Sequence, residues 1–103
     1  MIAFDPATSE SLAALCRKYA VRRLKLFGSA AGEGFDPERS DLDFLVEFAD
    51  PPSGMRLGTQ YFGLLEDIQT LFQRPVDLLE ESAIENSRLL RSAQTGAVTL
   101  YAA

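Results

Sequence analysis

Helices and strands alternate along these 103 residues, and the pattern predicts an α+β fold in the order α-β-α-β-α-β-α. Three observations carry that reading. Leu12, Leu15, Cys16 and Tyr19 fall at i, i+3, i+4 and i+7, and Leu57, Tyr61, Leu64, Leu65, Ile68, Leu71 and Phe72 keep helical spacing for four turns. Residues 22–27 and 42–48 change to a two-residue period, with Leu42, Phe44, Val46 and Phe48 on one face. Short breaks rich in glycine and proline, not long linkers, separate these segments, so residues 1–103 are expected to form one domain.

Taken in order, Asp5-Pro6 is a helix start, a capping carboxylate followed by proline in the first turn, and the first helix is expected over 6–20. A strand over 22–27 runs into Gly28-Ser29-Ala30-Ala31, small residues that can begin a short helix with its N–H groups turned outward. Residues 32–40 are a polar loop, and the second strand follows over 42–48. Pro51-Pro52 breaks regular structure before the long helix, which stops at Arg74-Pro75. Residues 76–79 form a short third strand, and a crossover helix between the second and third strands suits neighbours. Ser82 to Glu85 has capping-box spacing for a last helix ending at Gly96, and 97–101 is an apolar edge strand.

Composition narrows the function. A net charge of −5 argues against a general nucleic-acid binder, which needs a basic face to displace counterions. It suits a metal-chelated nucleotide or a basic protein partner. With no histidine, carboxylates must carry any metal binding or proton transfer. The lone Cys16 can form no internal disulfide, no basic-then-apolar leader is legible, and no apolar run approaches membrane-spanning length; a cytoplasmic chain without a membrane anchor is expected.

The chemistry gathers between residues 26 and 48. Asp41 and Asp43 are two apart at the start of a strand, so both project from one face, about 6–7 Å apart. Alone they repel, and a divalent cation between them removes that objection. Mg²⁺ prefers one or two carboxylates plus waters and substrate phosphates. Upstream, Gly28 lets backbone N–H groups approach a phosphate and Ser29 adds a hydroxyl donor. Asp77, between Val76 and Leu78 in a strand expected to be buried, is a costly charge; if its strand neighbours the second, it joins the same face. Glu47, Arg22 and Arg23 read as solvated surface charges, Arg88 and Arg91, three apart on the last helix, as salt-bridge formers, Tyr61 and Tyr101 as core or rim, and Lys25 as a surface charge within reach of a phosphate.

Gly-Ser followed by Asp-x-Asp on the next strand resembles the signature of the nucleotidyltransferase superfamily that includes DNA polymerase β. The short form is similar to the minimal nucleotidyltransferase (MNT) proteins, usually antitoxins beside a HEPN-domain toxin. That resemblance implies a small mixed sheet flanked by about four helices. It implies Asp41, Asp43 and Asp77 as metal ligands, Asp77 also as a possible general base, and Gly28 and Ser29 on the phosphates. Two Mg²⁺ ions would clamp the α-phosphate of ATP, and AMP would pass to a tyrosine of the HEPN toxin. Two departures stand out: Ala30 and Ala31 replace the arginines that often follow Gly-Ser, and the eleven residues between Ser29 and Asp41 exceed the commonest antitoxin spacing by one. They keep open an antitoxin that neutralises its toxin by binding alone. Transfer to a small molecule is the third reading, although such enzymes generally use an extra domain to hold the acceptor.

Overall fold

A computed structural model describes residues 4–28, 42–84, 88, 90–91 and 96–103. Helix α1 spans Pro6–Lys18, β1 Val21–Phe27, β2 Leu42–Phe48, α2 Leu57–Phe72, β3 Val76–Glu80 and β4 Val98–Ala102. The strands form one mixed sheet in the order β3-β2-β1-β4. β1 is antiparallel to both β2 and β4, whereas β2 and β3 run parallel with α2 as their connection. Parallel neighbours need such a crossover, which explains why the longest helix sits between these two strands.

Helix α1 begins as its first residues require. Asp5 accepts the Thr8 N–H at 2.7 Å, and Pro6 fills the first turn, where its missing donor costs nothing. The helix ends two residues earlier than expected. Arg17 and Lys18 favour its negative C-terminal end, and Ala20, at a φ of 53°, turns the chain into β1.

Both helices cover one face of the sheet. Leu12 and Cys16 of α1 and Leu64 and Ile68 of α2 meet Leu24, Leu26, Leu42, Phe44, Val46, Val76 and Leu78 in one continuous core. The expected inward face of β2 holds at Leu42, Phe44 and Val46, each at 0 % exposure, while Phe48 is half-buried at the strand end. Leu45 points to the other face and is nonetheless buried. A polar side chain fixes the frame: Gln60, 1 % exposed, donates to the carbonyls of Tyr19 at 2.8 Å and Ala49 at 3.0 Å. It thereby ties α2 to the turn before β1 and the exit of β2, satisfying two buried acceptors.

The end of the chain departs from expectation. Glu81–Ala83 is a 3₁₀ turn and Ile84 is extended, so no α-helix starts at Ser82. The hydroxyl expected to cap that helix donates instead to Glu80 at 3.2 Å. Helical backbone is present at Arg88, Leu90 and Arg91. The last apolar segment is a strand, and it pairs along β1 as the sheet's second edge. No described helix is long and apolar enough to cross a membrane.

Cys16 gives the core a measurable signature. Burial pushes its thiol up from 9.0 to about 12, partly countered by Arg17. A raised folded value means the stabilising contribution is complete below pH 9 and lost as the pH climbs toward 12. The unfolding free energy should therefore hold below pH 9, then fall with a slope approaching about 1.4 kcal/mol per pH unit, and denaturant midpoints should fall with it. Cys16→Ala should remove this decline between pH 9 and 10. A wild-type midpoint unchanged between pH 9 and 10 would contradict the buried thiol.

Candidate active site

The site is built by strand register. Phe27 stands opposite Asp43 in the antiparallel pair, and Asp43 opposite Asp77 in the parallel one. Their neighbours Leu42, Phe44, Val76 and Leu78 enter the core, so both aspartates project from the sheet face opposite that core. Adjacent strands place them about 4.8 Å apart in the pairing direction. Two carboxylates on one row are hard oxygen donors of the kind Mg²⁺ takes.

Gly28 closes the row from the β1 side. Its φ is +70°, and a Cβ added there would overlap Asp43 Oδ2 and lie 3.3 Å from Asp43 Cγ. Glycine is required twice over, by the left-handed backbone and by the carboxylate packed against it. The turn geometry alone thus explains the residue, and it also leaves main chain bare beside an acidic side chain.

Asp77 corrects the expectation of burial. β3 is an edge strand, and Asp77 is exposed on its outward face while Val76 and Leu78 go inward. The desolvation argument for its importance therefore falls away, and its claim rests on register with the half-buried Asp43. Ser29 and Asp41, like Ala30 and Ala31, lie outside the described residues. Among the described residues no group of three or more candidate metal ligands occurs. Asp43 and Asp77 thus need a further donor, and Asp41 directly precedes β2 in sequence.

A concavity of about 430 Å³ runs along β3 beside this row. Phe27, Asp43, Asp77 and Leu79 line it from the sheet, Tyr61 and Leu65 from α2. Sequence reasoning placed Tyr61 at core or rim without linking it to the site, because one more aromatic in an apolar stripe carries no distinguishing signal. The Tyr61 hydroxyl donates to Leu78 O at 2.5 Å. Burial raises its pKa, and the charges of Glu80 and Asp77 raise it further. At the other end of the same sheet face Glu47 is paired with Arg22 at 3.3 Å and Arg23 at 3.6 Å, so these are surface charges as expected. Lys25 lies on the site's face, half-buried, opposite Leu45.

Comparison with known proteins agrees with this fold. Residues 9–99 match the family described as "Nucleotidyltransferase domain". A Methanocaldococcus jannaschii protein named "Putative protein adenylyltransferase" is 34% identical over 80 residues, 78% of this chain and 76% of that protein. A solved "putative minimal nucleotidyltransferase" superposes with a TM-score of 0.71 at 30% identity, over 89% of this chain and 88% of that one. A tri-AMPylated Shewanella oneidensis HEPN toxin in complex with an MNT antitoxin shares the fold at a TM-score of 0.64 and 18% identity, covering 94% and 71% of the two chains.

The geometry separates stability from function. Gly28→Ala should destabilise by about 1–2 kcal/mol, through the left-handed φ and displacement of the Asp43 carboxylate. Asp77→Asn, at an exposed position beside a like charge, should be neutral or slightly stabilising, within about 0.5 kcal/mol. Urea unfolding of the three proteins decides this, and a loss above about 1 kcal/mol for Asp77→Asn would mark it as structural.

Proposed function

The chain belongs to the nucleotidyltransferase domain family and is a nucleotidyltransferase, and from that premise we propose that it transfers AMP from ATP to a tyrosine hydroxyl of a HEPN-domain toxin, with Mg²⁺ held by Asp41, Asp43 and Asp77. The observation that carries the reading is the row formed by Gly28, Asp43 and Asp77 across three adjacent strands. Gly28 and Ser29 would hold the phosphates, the bare backbone approaching closely and the hydroxyl donating. Magnesium, when bound, neutralises phosphate charge and polarises the phosphorus centre.

Asp77 lies at the open end of the row, where an acceptor can arrive. Its carboxylate would accept the hydroxyl proton while the acceptor oxygen bonds to the α-phosphorus. The bond from the α-phosphorus to the bridging oxygen breaks, and pyrophosphate leaves. Little else is asked of the protein, since such transfers depend on positioning and charge neutralisation. The archaeal relative's name supports a protein acceptor, and the Shewanella complex, of the same fold, supports a HEPN partner. A single buried, free cysteine suits the reducing cytoplasm, where ATP and magnesium are abundant.

A second reading has its own motive in Ala30 and Ala31, which put no cation where the phosphates would lie. In that reading the chain silences its toxin by binding alone. Incubation with ATP, Mg²⁺ and the co-encoded HEPN protein should raise the partner's intact mass by whole AMP units. Chelating the metal, or replacing Asp41 and Asp43 with alanine, should lower the transfer rate by at least about 10³-fold. An unmodified partner that is still inhibited, or inhibited equally by the alanine variant, would establish the binding reading instead.

A further inference from the structure

We propose that Tyr61 is a positioning residue for the reaction, its hydroxyl anchoring edge strand β3 through the Leu78 carbonyl and so holding Asp77 in register with Asp43. The inference rests on the functional reading above, in which Asp77 takes part. β3 has five residues and, among the described residues, one strand neighbour, β2. In a parallel ladder alternate residues bond to a given neighbour, and Leu42 N–H donates to Pro75 O at 3.5 Å. Asp77 and Leu79 therefore continue the pairing with β2, and the Leu78 carbonyl turns toward the unpaired edge. Tyr61, reaching across from α2, donates to that carbonyl at 2.5 Å. The contact lies one residue beyond Asp77, and the tyrosine lines the same concavity as Asp43 and Asp77.

The donor is held in its working form. Burial, Glu80 and Asp77 all raise the hydroxyl's pKa, so it stays protonated at neutral pH. Glycine, serine or threonine could not span from helix to strand edge, and phenylalanine would keep the packing while leaving the carbonyl without its donor. An aspartate displaced by a fraction of an ångström no longer meets the acceptor hydroxyl in line, which is where the rate is lost.

Tyr19 supplies the control, because its hydroxyl also makes a 2.5 Å bond, to Asp67, at a place remote from the site row. Transfer of AMP from ATP to the co-purified HEPN protein is measured for wild type, Tyr61→Phe, Tyr19→Phe, Asp77→Asn and the Tyr61→Phe/Asp77→Asn pair, well below each unfolding midpoint. Tyr61→Phe should lower kcat about 10- to 100-fold with the KM for ATP within about twofold, and should cost nothing more once Asp77 is asparagine. Tyr19→Phe should lower stability and leave kcat unchanged. Equal kcat for the two phenylalanine variants, or an undiminished Tyr61→Phe effect in the Asp77→Asn background, overturns the proposal. A wild type that transfers nothing marks failure of the functional reading instead. Hydrogen exchange along Val76–Glu80 then decides the placement claim: faster exchange in Tyr61→Phe than in Tyr19→Phe upholds it, and equal exchange overturns it.

Discussion

The parallel pairing of β2 with β3 is the constraint from which the site follows. It sets Asp43 directly beside Asp77, while the antiparallel pairing of β2 with β1 brings Gly28 against Asp43 from the other side. A parallel pair cannot be closed by a tight turn, so α2 must cross between the strands. That helix then supplies Leu64 and Ile68 to the core, Gln60 to the frame, and Tyr61 to the strand edge. Two like-charged side chains directly opposite each other on neighbouring strands repel. The fold sustains that repulsion because the inward-facing alternates, Leu42, Phe44, Val76 and Leu78, are bound into the core.

The same arrangement assigns sides to the proposed chemistry. Main chain without a Cβ lies on the β1 side, where phosphates would be held. The exposed carboxylate lies on the β3 side, at the edge of the sheet, where an acceptor from another molecule can approach. In the proposed reaction the HEPN partner would supply the acceptor half.

Much of this was legible in the residues, for identifiable reasons. Strong periodicity located α2, and the bounds of β2 came out at 42–48 because its alternation is clean at both ends. Gly-Ser and Asp-x-Asp pointed to one face, and the register sets Asp43 beside Asp77. Burial was harder to read. Alternation assumes one covered face, yet Leu45 is buried on the other. Three apolar neighbours made Asp77 look interior, whereas an edge strand shows every second side chain to solvent. Ser82 had capping-box spacing, but a nearby Glu80 carboxylate takes its hydroxyl, and Ile84 is extended. Gln60 and Tyr61 were hidden within a helical stripe, because their importance comes from carbonyls distant in sequence: Tyr19, Ala49 and Leu78.

The central claim is that the in-register aspartates and the glycine beside them form one site for a divalent cation and a nucleotide. Paramagnetic broadening tests it most directly: Mn²⁺ is titrated with a non-hydrolysable ATP analogue into isotopically labelled protein, and backbone amide signals are followed. The account predicts that the amides of Gly28, Asp43 and Asp77 broaden together at substoichiometric metal, ahead of those of α1 and β4, and that Asp43→Asn abolishes the pattern. Broadening spread evenly over the acidic surface, or centred on residues away from this row, would contradict it.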